Sequence, residues 1–171
     1  MNILIIGHPG SGKTYLANLL SEKVGVEKID IDVLFDKRPV YAFSKRLYKK
    51  ALSRLLKDRQ SWVIDGYHVG LMPDELLVKA DVVIYLNLPK DELKRNVLAR
   101  YNLKKANGEF SHWQSTYINN LKNFGQIRFQ DKALKKDLDR IKVLVANDVK
   151  FVELRTRAEI GQFLRSFPGE I

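Results

Sequence analysis

The chain has 171 residues, is 45% hydrophobic, lacks cysteine, and carries 30 Lys and Arg against 20 Asp and Glu, for a formal net charge of +10. That length suits one hydrophobic core and is short for two, so a single domain over residues 1–171 is expected, and the aromatic and apolar content excludes a disordered chain. Without cysteine there is no disulfide framework, no thiol catalysis and no thiolate zinc site, which fits a reducing compartment.

Taken in chain order, the apolar run Met1–Ile6 stops at Gly7 with no basic leader or small-residue cleavage site, so it reads as a strand rather than a signal peptide. No later apolar stretch approaches the roughly 20 residues that span a bilayer, and a soluble, cytoplasmic protein is the expectation. Residues 2–6 (NILII) have the β-branched content of a strand buried on both faces. GHPGSGKT follows at Gly7–Thr14, and then Leu16, Leu19, Leu20 and Val24 recur at helical spacing. Further strands are predicted at Lys28–Ile31, Trp62–Ile64, Val82–Leu88 and Phe151–Leu154. Between them, Phe43–Lys57 reads as an amphipathic basic helix with Leu47, Ala51, Leu55 and Leu56 on its apolar face. Pro89 opens a helix running towards Arg100. Leu134, Leu138, Ile141 and Val145 mark another from Asp131 to Val145, and Ile160, Phe163 and Leu164 a last one from Arg157. About five strands alternating with helices predict an α/β fold of three layers, a parallel sheet with helices on both faces. Residues 102–123 fit no element and read as an excursion.

Gly7-His8-Pro9-Gly10-Ser11-Gly12-Lys13-Thr14 has the spacing G-x-x-x-x-G-K-S/T, preceded by a strand and followed by a helix. Glycines let backbone N–H groups curl around phosphate oxygens, Lys13 reaches the β- and γ-phosphates, and the Thr14 hydroxyl can hold Mg²⁺. Gly7 to Thr14, with Tyr15, is therefore the expected ATP site. Asp65, ending the strand Trp62–Ile64, either orients Mg²⁺ or caps the next turn; beside a P-loop the metal role is favoured. Asp30 and Asp32 close the second strand region on one face, where a carboxylate points into the ligand crevice, and Asp32 is the candidate for holding or activating an acceptor hydroxyl. Arg95 and Arg100, near Lys94, and Arg128 beyond the excursion are candidates to stabilise a transferring phosphoryl group, against the alternative of solvated helix cations. His8, His68 and His112 form no cluster and are given no catalytic role. Trp113, Tyr117 and Phe124 could stack on a base but are more often core.

The charge also has an address. Lys37–Arg59 holds nine basic residues and one acid, and Lys90–Lys142 thirteen and six. An anionic ligand, a nucleic acid or solvated helix faces all fit such a balance. No reading helix, RNA module or single-strand platform is recognisable, so nucleic acid is the less favoured partner.

Together, GHPGSGKT, DIDVLF at 30–35, WVIDGYH at 62–68, ADVVIYLNLP at 80–89, RNVLARY at 95–101 and VELRTRAEIGQFL at 152–164 resemble the nucleoside-monophosphate-kinase-like P-loop proteins. More narrowly they resemble the adenylate-kinase-related family named "DNA topology modulation protein". The resemblance implies a P-loop NTPase fold with a five-stranded parallel sheet, an acceptor-binding segment at about 33–60 and a small helical lid at about 101–130. It also implies ATP and Mg²⁺ at Lys13 and Thr14, the metal at Asp65, the acceptor at Asp32 and the lid arginines Arg95 and Arg100. The implied activity is transfer of the γ-phosphoryl group to a small acceptor related to nucleotides or nucleosides, the alternative being nucleotide-dependent nucleic-acid binding or regulation. Tyr67-His68 stands where adenylate kinases have Phe-Pro-Arg, and Asn87 where an acid is common, so adenylate kinase activity itself is not expected.

Overall fold

A computed structural model describes residues 1–31, 44–66, 71–108, 125–145 and 149–169. In order, the elements are β1 (Asn2–Gly7), α1 (Lys13–Val24), β2 (Lys28–Asp30), α2 (Lys45–Leu56), β3 (Trp62–Asp65), α3 (Asp74–Leu77), β4 (Val82–Leu86), α4 (Lys90–Ala106), α5 (Gly125–Leu144), β5 (Lys150–Leu154) and α6 (Arg157–Ser166). The sheet has five strands, all paired in parallel, in the order β2-β3-β1-β4-β5. This is the three-layer α/β fold that the alternation of elements predicts.

Because side chains alternate across a strand, one apolar strand feeds two cores. Ile3 and Ile5 of β1 pack with Leu16 and Leu20 of α1, Leu93 of α4 and Ile160 of α6. Leu4 and Ile6 face the other way, onto Tyr48 and Leu52 of α2, Leu77 of α3, and Leu134, Leu138 and Ile141 of α5. Each fully buried aliphatic side chain contributes about 1.5–3 kcal/mol, so β1, whose Ile3, Leu4, Ile5 and Ile6 are all fully buried, anchors both layers.

The basic helix needs a correction. Its apolar face is Tyr48, Leu52 and Leu56 with Ala51 alongside, whereas Leu47 and Leu55 are 45% and 38% exposed. The face is turned by one residue because Tyr48, buried with its hydroxyl 3.4 Å from the Ile31 carbonyl oxygen, supplies the large core side chain that a leucine count overlooks. Ser44 caps this helix, its hydroxyl accepting from the Leu47 N–H at 3.3 Å, so the helix starts two residues later than predicted.

Two other boundaries move. Helix α4 continues past Arg100 to Ala106, and α5 begins at Gly125 rather than Asp131. Both ends of the segment assigned to the lid, about 101–130, are therefore helical, and residues 109–124 lie outside the described residues. Of the acceptor-binding segment, about 33–60, residues 44–60 are described.

Candidate functional site

Strand β1 ends at Gly7 in the middle of the sheet, and the chain needs five residues before α1 starts at Lys13. Gly10 and Gly12 both take the left-handed conformation, at φ 83° and 89°. At Gly10 space is as restrictive as torsion: a Cβ there would sit 2.7 Å from the Leu93 carbonyl oxygen and 2.8 Å from Val97 Cγ2, because α4 lies directly on the loop. Asn96 fixes that contact, its Nδ2 donating to the Gly10 carbonyl at 2.8 Å.

Inside the loop, the His8 carbonyl accepts the Ser11 N–H at 3.1 Å and the buried Lys13 ammonium at 3.0 Å. Ser11 is fully buried, and its hydroxyl has no partner among the described residues. Helices α2 and α6 are capped at their N-termini by Ser44 and Thr156, but α1 starts on Gly12 with no capping side chain and no acid in its first turn. Its positive end faces the loop, which suits an anion.

Asp65 stands across from that helix end. It is 1% exposed; its Oδ2 accepts the Thr14 hydroxyl at 2.8 Å and its Oδ1 is buried with no partner among the described residues. Burial pushes its pKa above the ordinary carboxylate value, aided by the nearby Asp30 and opposed by the Thr14 hydrogen bond and by Lys28 and Lys13. The sheet register explains Asp30: it is the Cα partner of Asp65 in the neighbouring parallel strand, so the two acids stand side by side. A desolvated carboxylate with an orphan oxygen, hydrogen-bonded to a hydroxyl at the head of a phosphate loop, fits a hydrated divalent cation. Among the described residues no group of three or more His, Asp or Glu side chains converges.

The other predicted residues divide by location. Gly7, His8, Pro9, Gly10, Ser11, Gly12, Lys13, Thr14 and Tyr15 form one continuous loop and helix start, with Tyr15 63% exposed at its rim. Arg95 and Arg100 are exposed on α4, and Arg128 lies in the first turn of α5. Asp32, His68, His112, Trp113, Tyr117 and Phe124 lie outside the described residues.

Sequence reasoning missed three participants. Arg157, first residue of α6, brings its guanidinium beside the loop, 3.2 Å from where a Gly12 Cβ would be, and its Nε donates to Glu92 at 2.5 Å. Asp131 of α5 bonds His8 Nε2 at 3.0 Å and also pairs with Lys90. Asn96 holds Gly10. Helical spacing of polar residues was their only signal, and that signal is shared by every solvated helix face. His8 is buried, and burial lowers its pKa, with Asp131 pulling the other way.

Residues 3–114 match the model of the AAA domain family. The chain belongs to that family. An adenylate kinase from Ureaplasma parvum serovar 3 is 23% identical over 78% of this chain and 74% of its own length. Among solved structures, a shikimate kinase from Bacteroides thetaiotaomicron superposes with a TM-score of 0.58 at 17% identity, covering 96% of this chain and 94% of that one. A deoxyadenosine kinase from M. mycoides with bound dATP gives 0.56 at 13%, covering 96% and 98%. The fold of this AAA-domain chain is accordingly that of P-loop kinases, and among its described residues no helix is long and apolar enough to cross a membrane.

Proposed function

We propose that the protein is a small-molecule kinase that binds Mg-ATP at Gly7–Tyr15 and transfers the γ-phosphoryl group to a small acceptor, within one domain of residues 1–171 in the cytoplasm. The observation that carries this reading is the Thr14–Asp65 pair with its orphan Oδ1, placed at the uncapped end of α1. Relatives named adenylate kinase and shikimate kinase agree with it but differ in acceptor.

In this reading, loop N–H groups bind phosphate oxygens, and Lys13 turns from the His8 carbonyl to the phosphates. Thr14 and Asp65 hold the hydrated cation, which when bound neutralises charge on the phosphates. Catalysis is positioning and electrostatics, since phosphoryl transfer asks for little covalent help. Asp32 would orient the acceptor, in a segment completed by α2. Arg95 and Arg100 would approach the transferring group when residues about 101–130 close over it.

ADP release measured across nucleoside monophosphates, nucleosides and non-nucleotide hydroxyl acceptors, with and without Mg²⁺, tests the activity. Lys13→Ala should abolish turnover with the fold intact; full ATP-dependent activity in that variant would sink the mechanism.

A second reading is favoured by one observation. Lys45, Arg46, Lys49, Lys50, Arg54 and Lys57 are all exposed along α2 and its C-cap, a cationic face suited to a phosphate backbone. It would make the protein a nucleotide-dependent nucleic-acid binder of the topology-modulation kind, with binding that weakens steeply as salt is raised. Tight gel-shift binding at physiological salt, with no acceptor consumed in the panel, would reverse the ranking.

A further inference from the structure

We infer that His8 is a positioning residue that couples the phosphate site to α5, through its carbonyl on one side and its imidazole on the other. The inference rests on the nucleotide reading of the loop and adds to it a route by which an occupied loop is felt at residue 125 and beyond.

The His8 imidazole is turned to Asp131 of α5. His8 itself is buried. Its carbonyl holds the Lys13 ammonium at 3.0 Å, and its Nε2 meets Asp131 Oδ1 at 3.0 Å. Because Pro9 follows, His8 is confined to extended backbone, so a displacement of the loop at this point carries the residue as a unit, with its carbonyl and its ring. Phosphates that draw Lys13 away remove a cation from that carbonyl, and a shift of His8 that follows reaches Asp131 through the ring.

The far side of the contact is arranged to respond. The other oxygen of Asp131 pairs with Lys90, the first residue of α4, and α4 is itself held on the loop by Asn96 and Gly10. The two helices that bracket residues 109–124 thus each make a polar contact with the P-loop. Beside the His8–Asp131 contact is a cavity of about 320 Å³, lined among others by Tyr85, Asn87, Lys90 and Lys135, with an apolar floor at Leu134 and Leu138. A close-packed interface transmits a push or resists it; one flanked by a cavity leaves α5 room to shift.

Coupling between two sites is reciprocal, so α5 must also feed back on nucleotide affinity, typically by about 5- to 150-fold. The test uses the full chain, Mg²⁺ and ADP, with hydrogen exchange of α5 amides and calorimetric ADP titration read together. In the wild type, ADP should change exchange in residues 125–138 by about fivefold or more. Asp131→Ala should reduce that change to less than about twofold and shift ADP affinity by about fivefold, whereas Asp131→Asn, which keeps an oxygen to accept from Nε2–H, should retain part of both. Lys135→Ala, next to the cavity but outside the contact, should behave as wild type. A merely structural Asp131 would lower the melting temperature of its variants and leave the response to ADP in place, and that outcome overturns the coupling. So does an α5 in the wild type that is unchanged while ADP demonstrably binds. Absence of ADP binding in the folded wild type would instead remove the nucleotide reading, and the coupling with it.

Discussion

The Thr14 hydroxyl donates to Asp65 Oδ2 at 2.8 Å, while Asp65 Oδ1 lies buried with no partner among the described residues. A carboxylate kept in this state costs stability, since its raised pKa means that the fold favours the neutral form. In the proposed function a bound cation would offset that cost. Asp65→Asn is therefore expected to melt no lower than the wild type, because the amide oxygen can still accept from Thr14. The same variant should need about 10- to 100-fold more Mg²⁺ for ATP turnover, as for other groups that orient a metal's ligands. Melting curves and a Mg²⁺ titration check it; a destabilised variant with an unchanged Mg²⁺ requirement would assign Asp65 to the fold alone.

Gly10 and Gly12 share a backbone conformation and differ in what surrounds them. Among the described residues a Cβ at Gly12 meets only the side-chain end of Arg157, so Gly12→Ala should cost about 1–2 kcal/mol of left-handed strain. At Gly10 the Leu93 carbonyl adds a backbone clash, an overpacking cost of about 1–3 kcal/mol more. Urea midpoints should rank Gly10→Ala below Gly12→Ala; the opposite order would mean that α4 does not bear on the loop.

His8 gives a pH signature of definite sign. Its folded pKa lies below the ordinary 6.5, burial being the largest cause and Asp131 the main opposing one, with Lys13 and Lys90 adding to the lowering. The unfolded chain then binds more protons, so this contribution is complete above pH 6.5 and is lost as pH falls from there through the folded pKa. Urea midpoints at pH 7.5 and about 5.5 should drop more in the wild type than in His8→Gln. A wild type that gains relative to the variant on acidification would show that the ion pair with Asp131 outweighs burial.

The turned face of α2 is testable by truncation. Leu52→Ala, at a fully buried position, should cost about 2–5 kcal/mol. Leu47→Ala and Leu55→Ala should stay within about 0.5 kcal/mol despite the same chemistry. Equal losses at all three would restore the leucine face that the sequence suggests.

What could be read in advance follows from how local each signal is. Strands β1 and β4 carry dense runs of Ile, Leu and Val, and GHPGSGKT carries its context on either side, so the layers and the loop were legible. The place of Asp65 was legible because it needs only the end of a strand. Arg157 and Asp131 were not, since their approach to the loop depends on where α6 and α5 land, far along the chain from Gly7–Thr14. The face of α2 was misjudged because three leucines outweighed one tyrosine, although the larger side chain takes the deeper position. Asp30 gained weight only from register, which sets it against Asp65 across β2 and β3.

The central place of β1 has a consequence during synthesis. It is made before both of its neighbours, β3 and β4, at residues 62–65 and 82–86. At about 5–20 residues per second, its four buried aliphatic side chains spend several seconds without either partner strand. A segment that is apolar on both faces and waits for distant partners is a natural client for chaperones, and a hazard when the chain is overproduced faster than they can attend to it.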